Sequence, residues 1–220
     1  MDKRTACIIG STGLVGGHLL DLLLEDPVYE KIIVVNRRAK HTESEIKISE
    51  VIIEDFKDLK NNADELSAMD YFCCLGTTIN KAGSKKKFRE VDYQYIVDFA
   101  EIARTHHAKA FIVISAMGAK ASSSIFYNKV KGETEDAIRQ LKINATTIIR
   151  PSLITGERTE KRSGEATAKW LMTKLSFIFK GPLKKYGPVH ARQIAASMRY
   201  YAKNATEPFQ VVESDKIQDF

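Results

Sequence analysis

The sequence predicts an α/β domain built on a doubly wound parallel sheet with helices on both faces. Three observations carry that expectation. Short, nearly continuous Val/Ile runs alternate with stretches of helical periodicity, the pattern of strands buried on both faces. A GxxGxxG turn separates the first strand-like run from the first helical one. The apolar runs are too short for helices and close on Gly, Asn, Asp or Ser.

The elements follow in order. Thr5 to Ile9 reads as a short buried strand. Leu14 to Leu24 places Leu14, Val15, Leu19, Leu22 and Leu23 at helical spacing and stops near Pro27, a residue that cannot continue a helix. Ile32 to Val35 is a second strand, ended by Asn36-Arg37-Arg38, and Ile46 to Ile53 a third, before Asp55. Met69 to Leu75 is a fourth, closed by Gly76-Thr77-Thr78. One long helix is expected from about Ser84 to His106, with Phe88, Val91, Tyr95, Ile96, Phe99 and Ile102 near one side. Ala110 to Ile114 is the fifth strand and ends at Ser115. A helix over 125–141 leads to a sixth strand, Thr146 to Ile149, which ends at Arg150-Pro151. Residues 156–165 read as a polar surface loop, 166–178 and 190–203 as helices, and Phe209 to Val212 as a last strand. No internal repeat or low-complexity tract interrupts this order.

Composition limits the function classes. With 220 residues, 44% hydrophobic and 28% charged, the chain is sized and mixed as one ordinary globular domain. No apolar run reaches the ~18–20 residues that span a bilayer. The first apolar stretch is interrupted by Gly10, Ser11, Thr12 and Gly13, which is no secretory signal. A cytoplasmic location is the expectation. Cys7, Cys73 and Cys74 lack metal-ligand spacing and read as small buried hydrophobes, and the adjacent His106 and His107 suit a helix C-terminus. No metal site is expected. The net charge of +6 gathers at Lys81, Lys85, Lys86, Lys87 and Arg89 and again from Arg158 to Lys185. No nucleic-acid module or interleaved aromatics accompany it, so a solvated face and a rim attractive to phosphates explain it better.

Gly10-Ser11-Thr12-Gly13-Leu14-Val15-Gly16 carries the first chemistry. Between a strand and a helix, its first glycine permits a tight turn. The second lets backbone N–H groups approach a pyrophosphate, and the third lets the helix pack closely on the sheet. The helix N-terminus adds oriented donors for an anion. This is the dinucleotide turn of a Rossmann-type fold. At the end of the second strand, where the adenine-side ribose is expected, Asn36-Arg37-Arg38 contains no carboxylate. A guanidinium fork matches a 2′-phosphate, so NADP(H) is expected rather than NAD(H).

Tyr127 and Lys131 stand at i and i+4 of a predicted helix and share one face. An ammonium near a phenolic oxygen favours the phenolate and makes tyrosine a better proton-transfer group. Ser115, twelve residues before Tyr127, ends the preceding strand and offers a hydroxyl to orient a substrate oxygen.

With these motifs in register, the chain resembles the short-chain dehydrogenases/reductases. More narrowly, ISAMGAKASSSIFYNKVKGETE (114–135), CLGTT (74–78) and IIRPSLITGER (148–158) resemble the atypical branch of Tat-interacting-protein-like oxidoreductases and their bacterial relatives. The resemblance implies that Asp55 contacts the adenine amino group with Phe56 beside it, and that Leu75, Gly76 and Thr77 lie along the adenine ribose. It further implies Tyr127 as acid/base and Lys131 on the nicotinamide ribose, tuning the tyrosine. Pro151, Ser152 and Ile154 would lie near the nicotinamide. The chain departs from the pattern at Asp92, where extended members often have Asn, and at Ala116, where relatives often show a second serine.

The organisation that follows is one domain over 1–220: a cofactor-binding core over 1–154 and a reduced substrate or cap region over 155–220. Two functions are in view. One is an NADP(H)-dependent oxidoreductase acting on a small carbonyl or alcohol; the other is a non-catalytic NADP(H)-binding redox sensor or scaffold. The expected partner is a small-molecule substrate, without nucleic acid or a membrane span, and a homodimer or protein partner is compatible. The apolar cluster Trp170, Leu171, Met172, Leu175, Phe177, Ile178 and Phe179 reads as a pocket lid, a core helix or a membrane-touching helix.

Overall fold

A computed structural model describes residues 3–40, 46–156 and 186–220. Seven strands form one parallel sheet: β1 (Arg4–Ile9), β2 (Tyr29–Asn36), β3 (Ile48–Ile52), β4 (Asp70–Cys73), β5 (Ala110–Ile114), β6 (Thr146–Arg150) and a last strand, Phe209–Glu213. Their spatial order is β3, β2, β1, β4, β5, β6 and then the last strand. The order in which strands are added reverses between β1 and β4, which is the topological switch point of a Rossmann sheet, and ligands bind outside the strand C-termini there. The doubly wound expectation is met.

The helices cover both faces because the strands are apolar on both. On one side, α1 (Leu14–Glu25) packs against the helix Ala191–Lys203, and Leu19, Leu23, Ile194 and Met198 are buried with Ile8, Val34 and Ile112. On the other side lie the 3₁₀ segment Phe56–Leu66 and two long helices, Tyr95–Thr105 and Phe126–Leu141. They bury Leu59, Phe99 and Ile138 against Cys7, Tyr71, Phe111 and Val113. Each such fully buried side chain contributes roughly 1.5–3 kcal/mol. Cys7 and Cys73 are buried within these layers, and burial pushes the Cys73 thiol up to about 12. His106 follows the helix Tyr95–Thr105, where its Nε2 lies 2.9 Å from the Ala63 carbonyl oxygen.

Several elements differ from expectation. The single helix expected over 84–106 is two helices, α3 (Lys85–Arg89) and α4 (Tyr95–Thr105), joined by a π turn at Glu90–Gln94, with the short α2 (Ile79–Ala82) before them. A wider turn leaves a carbonyl for other donors, and the Thr134 hydroxyl donates to the Asp92 carbonyl at 2.8 Å. Such π insertions often mark functional positions. The 3₁₀ segment has no apolar run to announce it; the Asp55 carboxylate starts it by accepting from the Lys57 amide at 3.1 Å.

After α5 (Phe126–Leu141) and β6, two-residue strands β7 (Ile154–Thr155) and β8 (Val189–His190) pair in parallel, followed by α6 (Ala191–Lys203), β9 (Phe209–Glu213) and α7 (Ser214–Ile217). Thus residues 191–217 pack onto the core: β9 is the sheet's seventh strand and α6 lies in its helical layer. The expected helix over 166–178 and the apolar cluster 170–179 lie outside the described residues.

Candidate functional site: a glycine turn and a buried lysine at one sheet edge

Because all seven strands run the same way, their C-terminal ends share one edge. Gly10–Gly16 follows β1, Arg37 and Arg38 follow β2, and Asp55 and Phe56 follow β3. Leu75–Thr77 follow β4, Ser115 follows β5, and Pro151, Ser152 and Ile154 follow β6. The topology therefore gathers the expected residues at one edge although the chain disperses them.

The turn itself leaves no room for side chains. Gly10 has φ +85, and a Cβ there would stand 2.8 Å from the Cys74 carbonyl. A Cβ on Gly16 would stand 2.1 Å from the Gly10 oxygen. The Gly13 amide donates back to Gly10 O at 3.0 Å, and α1 begins without a side-chain cap or an acidic residue in its first turn. Uncapped first-turn amides beside a close-packed glycine turn fit a pyrophosphate. Ser11 is buried, its hydroxyl donating to Asn36 Oδ1 at 3.1 Å.

Arg37 and Arg38 are exposed at the end of β2, and the Arg37 guanidinium lies 6.0 Å from the Phe56 ring centroid. Phe56 is buried and meets Tyr95 edge-on at 5.9 Å. Beside it the Asp55 carboxyl is exposed and held below the usual carboxylate range by the Lys57 amide and ammonium and the Tyr95 hydroxyl. An arginine pair next to an exposed carboxylate suits the adenosine end of a dinucleotide.

Tyr127 and Lys131 lie in the first half of α5. Lys131 is closed off from solvent, with Nζ 2.8 Å from Asp92 Oδ1, while Asp92 Oδ2 accepts the Thr77 amide at 2.9 Å. Burial opposes the Lys131 charge, but the Asp92 carboxylate, with Tyr127 and Cys73 nearby, outweighs it and raises the ammonium above the ordinary lysine range. Asp92 thus ties the loop after β4 to α5. Tyr127 is half-buried, its ring 5.6 Å from that of Phe88.

Ser115 was expected to orient a substrate oxygen, and its hydroxyl has a partner within the fold. It is buried and donates to Glu135, two helical turns past Tyr127 on the same helix. Glu135 also binds Arg150, whose Nε donates at 3.0 Å and whose Nη1 reaches Glu213 at 3.0 Å. Pro151 is buried; the Ser152 hydroxyl donates to the Gly187 carbonyl, and Ile154 is half-buried. Glu135 was findable at i+4 from Lys131. The ion-paired role of Asp92 depends on a contact between distant segments and has no local signal.

The chain is similar to known proteins in both sequence and fold. Residues 10–174 match the NAD(P)H-binding family. Protein HTATIP2 of Rattus norvegicus is 34% identical over 172 residues, covering 77% of this chain and 70% of that protein. The mitochondrial protein fmp52 of Aspergillus clavatus is 32% identical over 179 residues, covering 79% and 76% respectively. Among solved structures, MoeE5 in complex with UDP-glucose and NAD superposes with TM-score 0.70 at 12% identity, over 97% of this chain and 79% of that one. That likeness shows the fold. The expected cytoplasmic location is corrected here: relatives of the fmp52 type are named mitochondrial. No helix among the described residues is long and apolar enough to cross a membrane.

Proposed function

The chain belongs to the NAD(P)H-binding family, among the atypical short-chain dehydrogenases/reductases related to HTATIP2 and Fmp52, and on that premise we propose that it is an NADP(H)-dependent oxidoreductase acting on a small carbonyl or alcohol. The observation that carries the proposal is the buried, Asp92-paired Lys131 one turn from Tyr127, at the same sheet edge as the glycine turn.

The cofactor, when bound, supplies or accepts the hydride. This chain's residues do the rest. Amides of the Ser11–Val15 turn other than that of Gly13 hold the pyrophosphate at the α1 N-terminus, with Gly10, Gly13 and Gly16 giving it access. Arg37 and Arg38 meet the 2′-phosphate, and Asp55 accepts from the adenine amino group with Phe56 beneath the loop. Leu75, Gly76 and Thr77 line the adenine ribose, Lys131 donates to the nicotinamide ribose, and Pro151, Ser152 and Ile154 flank the nicotinamide. Tyr127 Oη moves a proton to or from the substrate oxygen, a role contributing about 10²–10⁴ in rate. Because the Ser115 hydroxyl already donates to Glu135, its oxygen is left to accept from a substrate alcohol.

In organisation, residues 1–154 hold the cofactor, and the whole is one domain. A mitochondrial place of action follows the names of the fmp52 relatives.

A second reading, a non-catalytic NADP(H) sensor or scaffold, is favoured by one observation: the Ser115 proton is taken up by Glu135 and is not offered to a carbonyl. NADPH oxidation across a panel of small aldehydes and ketones separates the two. Sustained turnover supports the oxidoreductase; tight NADPH binding without turnover of any of them supports the sensor.

A further inference from the structure

Glu50 lies on β3 opposite Val34 and reaches the turn that follows β2. Its Oε1 accepts from Asn36 Nδ2 at 2.6 Å, and Oε1 and Oε2 accept from the Lys40 amide at 3.2 and 3.1 Å. One carboxylate therefore bridges both ends of the reversal from Asn36 to Lys40. Between those ends stand Arg37 and Arg38, both exposed. Asn36 is itself buried and accepts from Ser11, so the same chain of hydrogen bonds runs into the glycine turn.

We propose that Glu50 is a specificity-determining positioning residue, which clamps the Asn36–Lys40 reversal so that Arg37 and Arg38 are presented to a 2′-phosphate on the adenosine ribose. The inference rests on the NADP(H) reading above and extends it to the residue that sets the preference. An exposed turn carrying two long cationic side chains loses much orientational freedom only if its backbone is fixed. Charge-assisted hydrogen bonds at both ends fix it. Glu50 is a poor direct acceptor for a ribose 2′-hydroxyl, because both its oxygens already accept from N–H groups of this turn. A carboxylate acting alone would repel a phosphate; here it acts through the turn that holds the arginines.

Calorimetric titration of NADP⁺ and NAD⁺ into the wild type, Glu50→Ala, Glu50→Gln and Arg37→Ala tests this. The wild-type ratio of dissociation constants reports on the NADP(H) reading itself, and the change of that ratio in the variants reports on Glu50. The expected result is a preference for NADP⁺ that falls about tenfold in Glu50→Ala while the NAD⁺ dissociation constant moves by less than about threefold. Glu50→Gln keeps a single acceptor and falls between. An unchanged ratio in Glu50→Ala overturns the proposal, as does a rise, which would make the carboxylate only a repulsive charge. Selective loss of NAD⁺ also overturns it and makes Glu50 a 2′-hydroxyl acceptor. If Glu50→Ala loses both nucleotides together, the ratio in Glu50→Gln decides by the same criteria.

Discussion

Lys131 Nζ lies 2.8 Å from Asp92 Oδ1, and both side chains are closed off from water. The pair joins α5 to the π turn before α4, and Asp92 carries it on to the Thr77 amide. Asp92 is the counter-charge that the buried Lys131 ammonium needs. Two charges buried together are tolerable, whereas one left alone is expensive.

Lys131→Met therefore destabilises the fold by about 3–5 kcal/mol, because it strands the Asp92 carboxylate. Denaturant unfolding at neutral pH measures this. Lys131→Met with Asp92→Asn restores much of the loss, and no recovery in the double variant counts against the pair.

The same pair gives a pH dependence with a definite sign. Lys131 in the fold titrates above its ordinary value of 10.5, so its stabilising contribution is complete below that value. It is lost as pH rises through the higher, folded value. Wild-type stability should hold level from neutrality to about pH 10 as far as this group is concerned, then fall. Asp92→Asn removes the main cause of the rise and leaves burial opposing the Lys131 charge, so the alkaline fall assigned to this site is expected to be absent in that variant. Unfolding curves across the alkaline range, differenced between the two proteins, check it; superimposable profiles contradict it.

Ser115→Ala tests whether this serine serves the fold or the substrate. Its buried hydrogen bond to charged Glu135 is worth about 1.5–3 kcal/mol, and that loss is expected in denaturant unfolding. Turnover is expected to fall by less than about tenfold, well short of what a lost proton-transfer group costs. A fall of a thousandfold with little change in stability would reverse the assignment.

Gly16→Ala places a Cβ 2.1 Å from the Gly10 oxygen, and the clashing atom is backbone, which cannot swing aside. Overpacking of this kind costs about 1–3 kcal/mol, and the shifted turn should also lose NADPH. Fluorescence titration of NADPH and denaturant unfolding report the two effects. Native affinity in this variant would mean that the turn does not hold the phosphates.

The succession of strands along the chain, the glycine turn and the Tyr127–Lys131 face are legible because each is local: apolar runs, glycines at fixed offsets, and an i, i+4 pair. The break in the helix after Arg89 was not, since Phe88, Val91, Tyr95 and Ile96 keep a passable helical stripe through the π turn. Ser115 was correctly placed at a strand end, but the direction of its hydroxyl depends on Glu135 and Arg150, which arrive from α5 and β6. Glu50 is invisible in sequence for a similar reason: its carboxylate acquires meaning only once strand register sets it against Asn36.

In the proposed reaction Tyr127 moves the proton while the rest of the edge holds the cofactor. NADPH affinity and NADPH-dependent carbonyl reduction, measured side by side in the wild type and Tyr127→Phe, test it most directly. Nearly equal affinities are expected, with a loss of turnover of at least about a hundredfold in Tyr127→Phe. Full turnover in that variant would contradict it.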